Sequence, residues 1–387
     1  MGEQRQPEWL EAGPRPLSPR SPWRRWPAVL AAALLTAVVA VAGARSLDGP
    51  ASPGEHDGGR QESSSSPTPQ ATTIPPGPPV VSRGPQLADA GRWEVYGRSE
   101  TAVVRLELGS GRMTRTPAPP LTAGGWVSLL ATGTGVLVRP VRGTAGYQVP
   151  NGKPAEPLPP ALGRGGVMLP GPEPDQVWIS GTSRFSSRGE MLLASLSAGW
   201  IRVQASLPAD ITGPIQSDGA GSYYVGSTGG TYVRVPGGYR RISTGSVLAA
   251  SRGSLLSAEC DQRLQCRHLL VDRRTGSRRP VRLLPTFNAG LALVSLSPDA
   301  RYAAVAYRLG TQSPALHVID LRTGVDREVA AAPDAAVATG SVAWSPNSDY
   351  LAVVGAQGRL TIVAAATAEP VPLGAEVPTV AQVASAP

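Results

Sequence analysis

The sequence predicts an all-β protein made of many short strands joined by turns. Glycine and proline account for 45 and 40 of the 387 residues, which is well above their average usage, and both residues are costly inside helices. Apolar residues make up 41% of the chain, which is too many for a wholly disordered protein. Short apolar runs that end at turn residues satisfy both observations.

Two different motifs recur at the same offset, which indicates a repeated structural unit. Leu293–Val305 matches Val342–Val354, and each contains an apolar run, a Ser-Pro-Asp or Ser-Pro-Asn turn, and a second apolar run. Leu270–Gly276 matches Ile319–Gly324, and both end at Asp-x-x-Thr-Gly. Ser297 and Ser345 are 48 positions apart, and so are Gly276 and Gly324. Proline and Asx residues favour tight turns, so each unit is expected to be a meander of three or four strands.

Weaker copies of the second motif occur upstream and give a count of the units. In chain order the marks are Leu106–Gly111, Tyr147–Gly152, Leu196–Gly199, Val233–Gly238, Gly276, Gly324 and an alanine-rich variant near Thr367. A period of roughly 40–50 residues with several strands per unit is typical of a β-propeller. The seven marks predict seven blades of four-stranded antiparallel sheets over residues 87–387, with six or eight blades as alternatives.

The Ser-Pro-Asp-x-Arg-Tyr-x-Ala-Val strand pair, followed by Val-Ile-Asp-Leu-x-Thr-Gly, resembles the WD40-like repeats of TolB-type and YVTN-type propellers of the bacterial envelope. The resemblance covers residues 266–366 well and 87–265 weakly. It implies the fold and says little about activity, because propellers host many functions. The arginine-rich, lysine-poor composition is typical of actinobacteria.

Ring closure is expected from the end of the chain. Thr379–Pro387 resembles the inner strand Ser341–Pro346, so we expect it to pair with the first blade next to Trp93–Tyr96. The alternative is that Asp89–Trp93 completes that blade by itself, because it resembles Asp299–Tyr302.

The N-terminal region predicts export. Residues 27–44 form an uncharged apolar run, long enough to span a membrane, and the arginines before it favour a cytoplasmic N-terminus. Residues 1–26 are expected to be a disordered tail and residues 45–86, rich in Pro, Ser and Gly, a disordered linker. The alternative is a signal peptide cleaved after Ala44. Either way the propeller is expected outside the cytoplasm.

Catalytic and metal-binding patterns are missing from the sequence. Two cysteines and three histidines cannot form the usual zinc sites, and no nucleophile elbow or phosphate loop occurs. His268 and His317 are expected to be packed or hydrogen-bonded, and Trp126, Trp178, Trp200 and Trp344 to pack between blades. We predict no catalytic residue, cofactor or metal. Cys260 and Cys266 are expected to form a disulfide across a hairpin, because export favours oxidation.

One unit has a strong excess of positive charge. Its arginines are Arg263, Arg267, Arg273, Arg274, Arg278, Arg279 and Arg282. They could contact an anionic surface such as lipid headgroups or a cell-wall polymer, or they could be a solvated blade edge that prevents strand pairing.

Together these features predict a monomeric, membrane-anchored propeller that binds a protein or an envelope polymer and has no enzymatic activity. Its location disfavours nucleic acid as a partner. The alternative is an exported propeller enzyme, a hydrolase or lyase acting on glycans or peptides.

Overall fold

The computed structural model describes most of the chain after residue 76. The described ranges are 77–120, 127–140, 146–159, 162, 167–182, 189–199, 201–208, 211–227, 229–261, 265–283, 289–309, 315–330, 340–355 and 357–386. The predicted tail, membrane segment and most of the predicted linker lie outside these ranges. Among the described residues, none belongs to a helix long and apolar enough to cross a membrane.

The described chain folds into seven antiparallel sheets, and each sheet is one blade of a propeller. Blades 2 to 7 are consecutive four-stranded meanders, in which the first strand of each is innermost. Blade 2 contains β5 (Val127–Thr132), β6 (Gly135–Pro140), β7 (Tyr147–Pro150) and β8 (Glu156–Pro157), and blade 3 contains β9 (Met168–Pro170), β10 (Gln176–Thr182), β11 (Gly189–Ser195) and β12 (Ile201–Ser206). Blade 4 contains β13 (Ile211–Ser217), β14 (Tyr223–Ser227), β15 (Gly230–Val235) and β16 (Gly238–Ser243), and blade 5 contains β17 (Ser246–Ala250), β18 (Ser254–Cys260), β19 (Cys266–Asp272) and β20 (Arg278–Val281). Blade 6 contains β21 (Ala289–Leu296), β22 (Tyr302–Leu309), β23 (Ala315–Asp320) and β24 (Asp326–Glu328), and blade 7 contains β25 (Val342–Trp344), β26 (Tyr350–Val354), β27 (Leu360–Ala364) and β28 (Pro370–Val371).

Blade 1 contains strands from both ends of the described chain. From the axis outward its strands are β29 (Gln382–Ser385), β2 (Glu94–Arg98), β3 (Ala102–Glu107), β4 (Arg112–Pro117) and β1 (Val80–Arg83). The expected ring closure is confirmed, because β29 pairs antiparallel with β2 and the Trp93 indole donates a hydrogen bond to Ser385 Oγ at 3.1 Å. A single 3₁₀ turn, Ala88–Ala90, precedes β2, so the Asp89 segment forms a turn and not the missing strand.

Strand β1 corrects one predicted boundary. Val80–Arg83 falls within the segment 45–86 that composition predicts to be linker, yet it pairs along its full length with β4. The propeller therefore begins before residue 87. The strand forms because β4 is otherwise the open edge of blade 1, and its unpaired backbone groups accept one further strand.

The core is divided among the blade interfaces. Within the described residues, the buried apolar side chains form seven clusters, and each cluster combines residues of two adjacent blades. Side chains of a strand point alternately to its two faces, so every blade buries both faces against its neighbours. Trp178 and Trp344 lie in these clusters, as predicted; Trp126 and Trp200 lie outside the described residues.

All seven predicted marks lie in the turn between the third and fourth strands of a blade. The glycines there have left-handed backbone angles, with φ of 71° at Gly276 and 75° at Gly324. In both Asp-x-x-Thr-Gly turns the Asp side chain accepts two backbone N–H groups: Asp272 from Arg274 and Thr275, and Asp320 from the equivalent residues. These carboxylates therefore stabilise turns.

The Ser-Pro-Asx turns are also built by side-chain capping. Ser297 Oγ accepts the backbone N–H of Tyr302 at 2.9 Å, and Ser345 Oγ accepts that of Tyr350 at 2.9 Å. The backbone N–H of Asp299 donates to Ser348 Oγ of the next blade. The repeated motif thus fixes the turn and joins neighbouring blades.

Candidate functional site

The two faces of the propeller differ in the length of their connections. One face, here called the turn face, carries the turns between first and second and between third and fourth strands; within blades 2 to 7 none is longer than five residues. The opposite face, here called the loop face, carries the hairpins between second and third strands and the crossovers to the next blade. The longest stretches between consecutive strands begin and end on this face, and they are residues 158–167, 329–341 and 372–381. Of these, residues 160–161, 163–166 and 331–339 lie outside the described residues. Long connections on a rigid scaffold are the usual place for binding residues.

The innermost strands around the axis carry no charge. None of the seven, β5, β9, β13, β17, β21, β25 and β29, contains Asp, Glu, Lys, Arg or His. They consist of apolar residues, glycine, proline, and polar residues such as Ser128 and Gln382. In the described part of the chain, no group of three or more His, Cys, Asp or Glu side chains could hold a metal ion. These strands therefore supply packing surface and no acid–base group.

His317 is the centre of a hydrogen-bonded chain in blade 6. Its Nδ1 lies 2.9 Å from Asp326 Oδ1 and its Nε2 lies 2.8 Å from the Tyr307 hydroxyl. A neutral imidazole fits both contacts if Nδ1 donates to the carboxylate and Nε2 accepts from the phenol. Burial raises the pKa of Tyr307, and the negative charges of Asp326 and Glu328 raise it further. The tyrosine therefore stays protonated, which suits a packed network better than a nucleophile.

His268 is buried within blade 5, on β19. Burial lowers its pKa, because desolvation disfavours the charged imidazolium. The expectation that both histidines are packed or hydrogen-bonded is confirmed. The sequence contains no signal for the partners of His317, because Tyr307 and Asp326 lie on the two strands that flank it.

Cys260 and Cys266 form the expected disulfide, with their Cα atoms 3.9 Å apart. They are directly opposite each other at the end of the β18–β19 pair. This position places the disulfide at the loop face of blade 5.

The predicted arginine cluster does not converge on one site. Arg273 forms an ion pair with the buried carboxylate of Asp218 in blade 4, donates to the carbonyl oxygen of Arg252 at 2.8 Å and lies 5.5 Å from the ring centroid of Tyr224. It joins blades 4 and 5 at the turn face. Arg274 is exposed in the adjacent turn.

The other arginines of the cluster have different environments. Arg267 and Arg278 both pair with Glu259, at 2.9 and 2.8 Å. Burial alone would raise the pKa of Glu259, but the two guanidinium groups outweigh it and the pKa is lowered. Arg279 donates to the carbonyl oxygen of Leu321 in blade 6 at 2.6 Å. Arg282 is exposed, and Arg263 lies outside the described residues.

A buried arginine lies near the loop face of blade 1. Its burial could not be predicted from the sequence. Arg98 is completely buried and donates to the carbonyl oxygens of Ala102, Glu100 and Pro119. Its guanidinium lies 5.8 Å from the ring centroid of Tyr147 in blade 2. Burial lowers the pKa of Arg98 and raises that of Tyr147 to about 12. The arrangement caps the β2–β3 hairpin and the crossover that follows β4.

No protein-family model matches the chain, and no curated protein matches it. Solved structures similar to it include an oligogalacturonate lyase in complex with manganese, with 11% identity, a TM-score of 0.50, and coverage of 73% of this chain and 89% of that one. TolB from Acinetobacter baumannii has 14% identity, a TM-score of 0.43, and coverage of 76% and 83%. A structure described as a putative 6-phosphogluconolactonase from Bacteroides fragilis has 12% identity, a TM-score of 0.45, and coverage of 78% of this chain and 99% of that one.

At this distance the likeness shows the fold alone. The chain is a seven-bladed β-propeller with distant structural similarity to TolB, to oligogalacturonate lyase and to lactonase-type propellers. Binding proteins and enzymes both occur among such propellers, so the function must be argued from the residues of this chain.

Proposed function

We propose that this protein is an exported, membrane-anchored propeller that binds a protein or an envelope polymer through its loop face and has no enzymatic activity of its own. The observation that carries the proposal is the concentration of long connections on that face, where 329–341 is the longest crossover. The short, hydrogen-bonded turns of the opposite face leave little to adapt to a partner.

Three further features support the proposal. The innermost strands offer no carboxylate or imidazole at the axis, where an enzyme of this shape would need converging acid–base groups. The apolar run 27–44, with arginines before it, favours anchoring with the propeller outside the cytoplasm. A disulfide at Cys260 and Cys266 suits an oxidising compartment.

The test is crosslinking of the full chain in intact cells, followed by purification from membranes. One variant replaces residues 331–338 with a Gly-Ser sequence of equal length. The control carries Lys153→Ala and Arg322→Ala, two exposed residues in turns of the opposite face. We expect the wild type and the control to retain one crosslinked partner and the loop variant to lose it.

Two outcomes would contradict this function. If the loop variant keeps the same partner while the control loses it, the wrong face has been assigned. If no partner is recovered and the purified chain turns over a glycan or peptide, the protein is an enzyme. Separately, a mature protein that begins at Arg45 would show cleavage in place of anchoring.

A further inference from the structure

Positive charge is concentrated on the outer wall of blades 3 to 5. The outermost strands of these blades, β12, β16 and β20, contain five arginines and no acidic residue. We call this set the basic belt, and it consists of Arg202, Arg240, Arg241, Arg278 and Arg279. All five are exposed. Two of them belong to the arginine cluster noted in the sequence, and three come from neighbouring blades.

The belt has a clear boundary on each side. The outermost strand of blade 2 carries Glu156, and that of blade 6 carries Asp326 and Glu328. Carboxylates on these strands reverse or cancel the positive potential. Acidic outer strands therefore bound the belt on both sides, and the exposed arginines of the outer strands of blade 1 are separated from it by the acidic strand of blade 2.

The pairing register orders the belt around the circumference. Arg240 lies opposite Val233, whose side chain belongs to the core between blades 4 and 5. Arg278 reaches the same groove from blade 5, because it donates to the carbonyl oxygen of Ile242 at 3.4 Å. Neighbouring residues on a strand face opposite sides, so Arg241 faces blade 3 and Arg279 faces blade 6. The row thus crosses three successive grooves.

The contacts that position Arg241 and Arg279 do not neutralise their charge. Arg279 donates to the carbonyl oxygen of Leu321, and Arg241 to that of Ser243 at 3.4 Å; a carbonyl fixes the guanidinium without cancelling its charge. The carboxylate of Glu259 pairs with Arg278 but is shared with Arg267. A guanidinium has five N–H donors, so these side chains are oriented and still have donors for an anion.

From this arrangement we infer that the basic belt binds a linear polyanion that has one negative charge in each repeating unit, and that it is a second binding surface, independent of the loop face. A row of guanidinium groups that follows the circumference matches charges repeated along a flexible chain. A bilayer is a poorer match, because membrane-binding surfaces combine basic residues with inserted apolar side chains. In the described residues, the exposed large apolar side chains are Val80, Val81, Val167 and Val325, and none lies on the belt strands.

The experiment measures binding of long-chain inorganic polyphosphate to the purified full chain in neutral detergent, over a series of salt concentrations. The belt variant carries Arg240→Gln, Arg241→Gln and Arg279→Gln. A matched control removes the same charge from the exposed outer strands of blade 1 with Arg83→Gln, Arg112→Gln and Arg115→Gln. Neutral dextran and phosphatidylglycerol vesicles are the comparison ligands, and the melting temperature of each variant verifies folding.

We expect the belt variant to weaken polyphosphate binding roughly tenfold or more at low salt and to reduce the slope of log affinity against log salt by about two. The blade 1 control should stay within about twofold of the wild type. Dextran should not bind.

Three results would overturn the inference: equal weakening in both variants, no polyphosphate binding at low salt, or belt-dependent binding of the vesicles without binding of the polymer. The belt variant should retain the partner captured through the loop face. The two sites are distinguished because only the loop variant should lose that partner and only the belt variant should lose polyphosphate binding.

Discussion

Ala368 occupies a turn position that glycine fills in blades 1, 3, 5 and 6. Its φ is 60°, close to the 68° of Gly111 and the 66° of Gly199. The left-handed conformation costs an alanine about 1–2 kcal/mol, whereas glycine adopts it readily. The turn of blade 7 therefore contains a strained residue at a place where these four turns are relaxed.

Exchanging the residue types at this position should change stability in opposite directions. We expect Ala368→Gly to raise the free energy of unfolding by about 0.5–1 kcal/mol, since relief of strain exceeds the added entropy of the unfolded chain. Gly324→Ala should lower it by about 1 kcal/mol through backbone strain, because no atom lies within 4 Å of the added Cβ. Urea unfolding measures both, and shifts in the same direction would contradict the argument.

The buried His268 should make stability depend on pH. Its folded-state pKa is lowered by burial, so the unfolded chain binds the proton more readily. Stability is then complete above the unfolded pKa of about 6.5 and is lost as pH falls toward the folded value. We expect the melting temperature to fall as the pH drops below about 6.5, and His268→Gln to flatten that dependence. An equally steep dependence in the variant would assign the proton uptake to another group.

The residues that sequence reasoning located are those whose role is local. Glycines in left-handed turns and Asx caps act within a few positions of the chain, so their spacing predicts them. Arg273 and Asp218 are 55 residues apart, and nothing in either segment indicates the other. Contacts between blades depend on which side of a strand each residue faces, which the repeat pattern alone does not specify.

Blade 1 shows how composition can hide an element. Val80–Arg83 is short and follows a Pro-rich stretch, so its sequence predicts linker, and all four residues are exposed. The strand exists because β4 offers an unpaired edge. The closing strand β29, in contrast, resembles an internal repeat and could be predicted. Two of its four residues, Gln382 and Val383, are buried, and Val383 belongs to the core between blades 1 and 7.

Removing the innermost strand of blade 1 and removing its outermost strand should therefore have unequal effects. Truncation after Ala381 deletes β29, opens the ring and exposes the core between blades 1 and 7. We expect loss of cooperative folding, seen as a broad thermal transition. Truncation that removes residues 1–83 deletes β1 and no other described strand, and we expect a sharp transition with a slightly lower midpoint. Equal loss of cooperativity in both truncations would show that β1 also holds the ring together.

The disulfide stabilises a single hairpin. Replacing Cys260 and Cys266 together with serine should lower the free energy of unfolding by about 2 kcal/mol, because the closed loop is short. The wild type treated with a reducing agent should show the same loss. An unchanged midpoint after verified reduction would mean that the β18–β19 pairing alone fixes the hairpin.

On the scale of the whole molecule, stability comes from seven equivalent interfaces arranged in a ring. Each blade shares one core cluster with each neighbour, so no blade is stable by itself. The number of blades could be predicted because the turn marks recur once per blade. The basic belt could not, because its residues are distant in the chain and meet only when β12, β16 and β20 become the outer wall of adjacent blades.

Closure by β29 also sets the order in which the protein can be completed during its synthesis. Strands β2 to β4 leave the ribosome early, yet the strand that covers their inner edge is made after all the others. The first blade must wait, with one side of β2 unpaired, until the seventh has been translated. A prematurely terminated chain would keep that edge open, and its unpaired backbone groups could then pair with another chain.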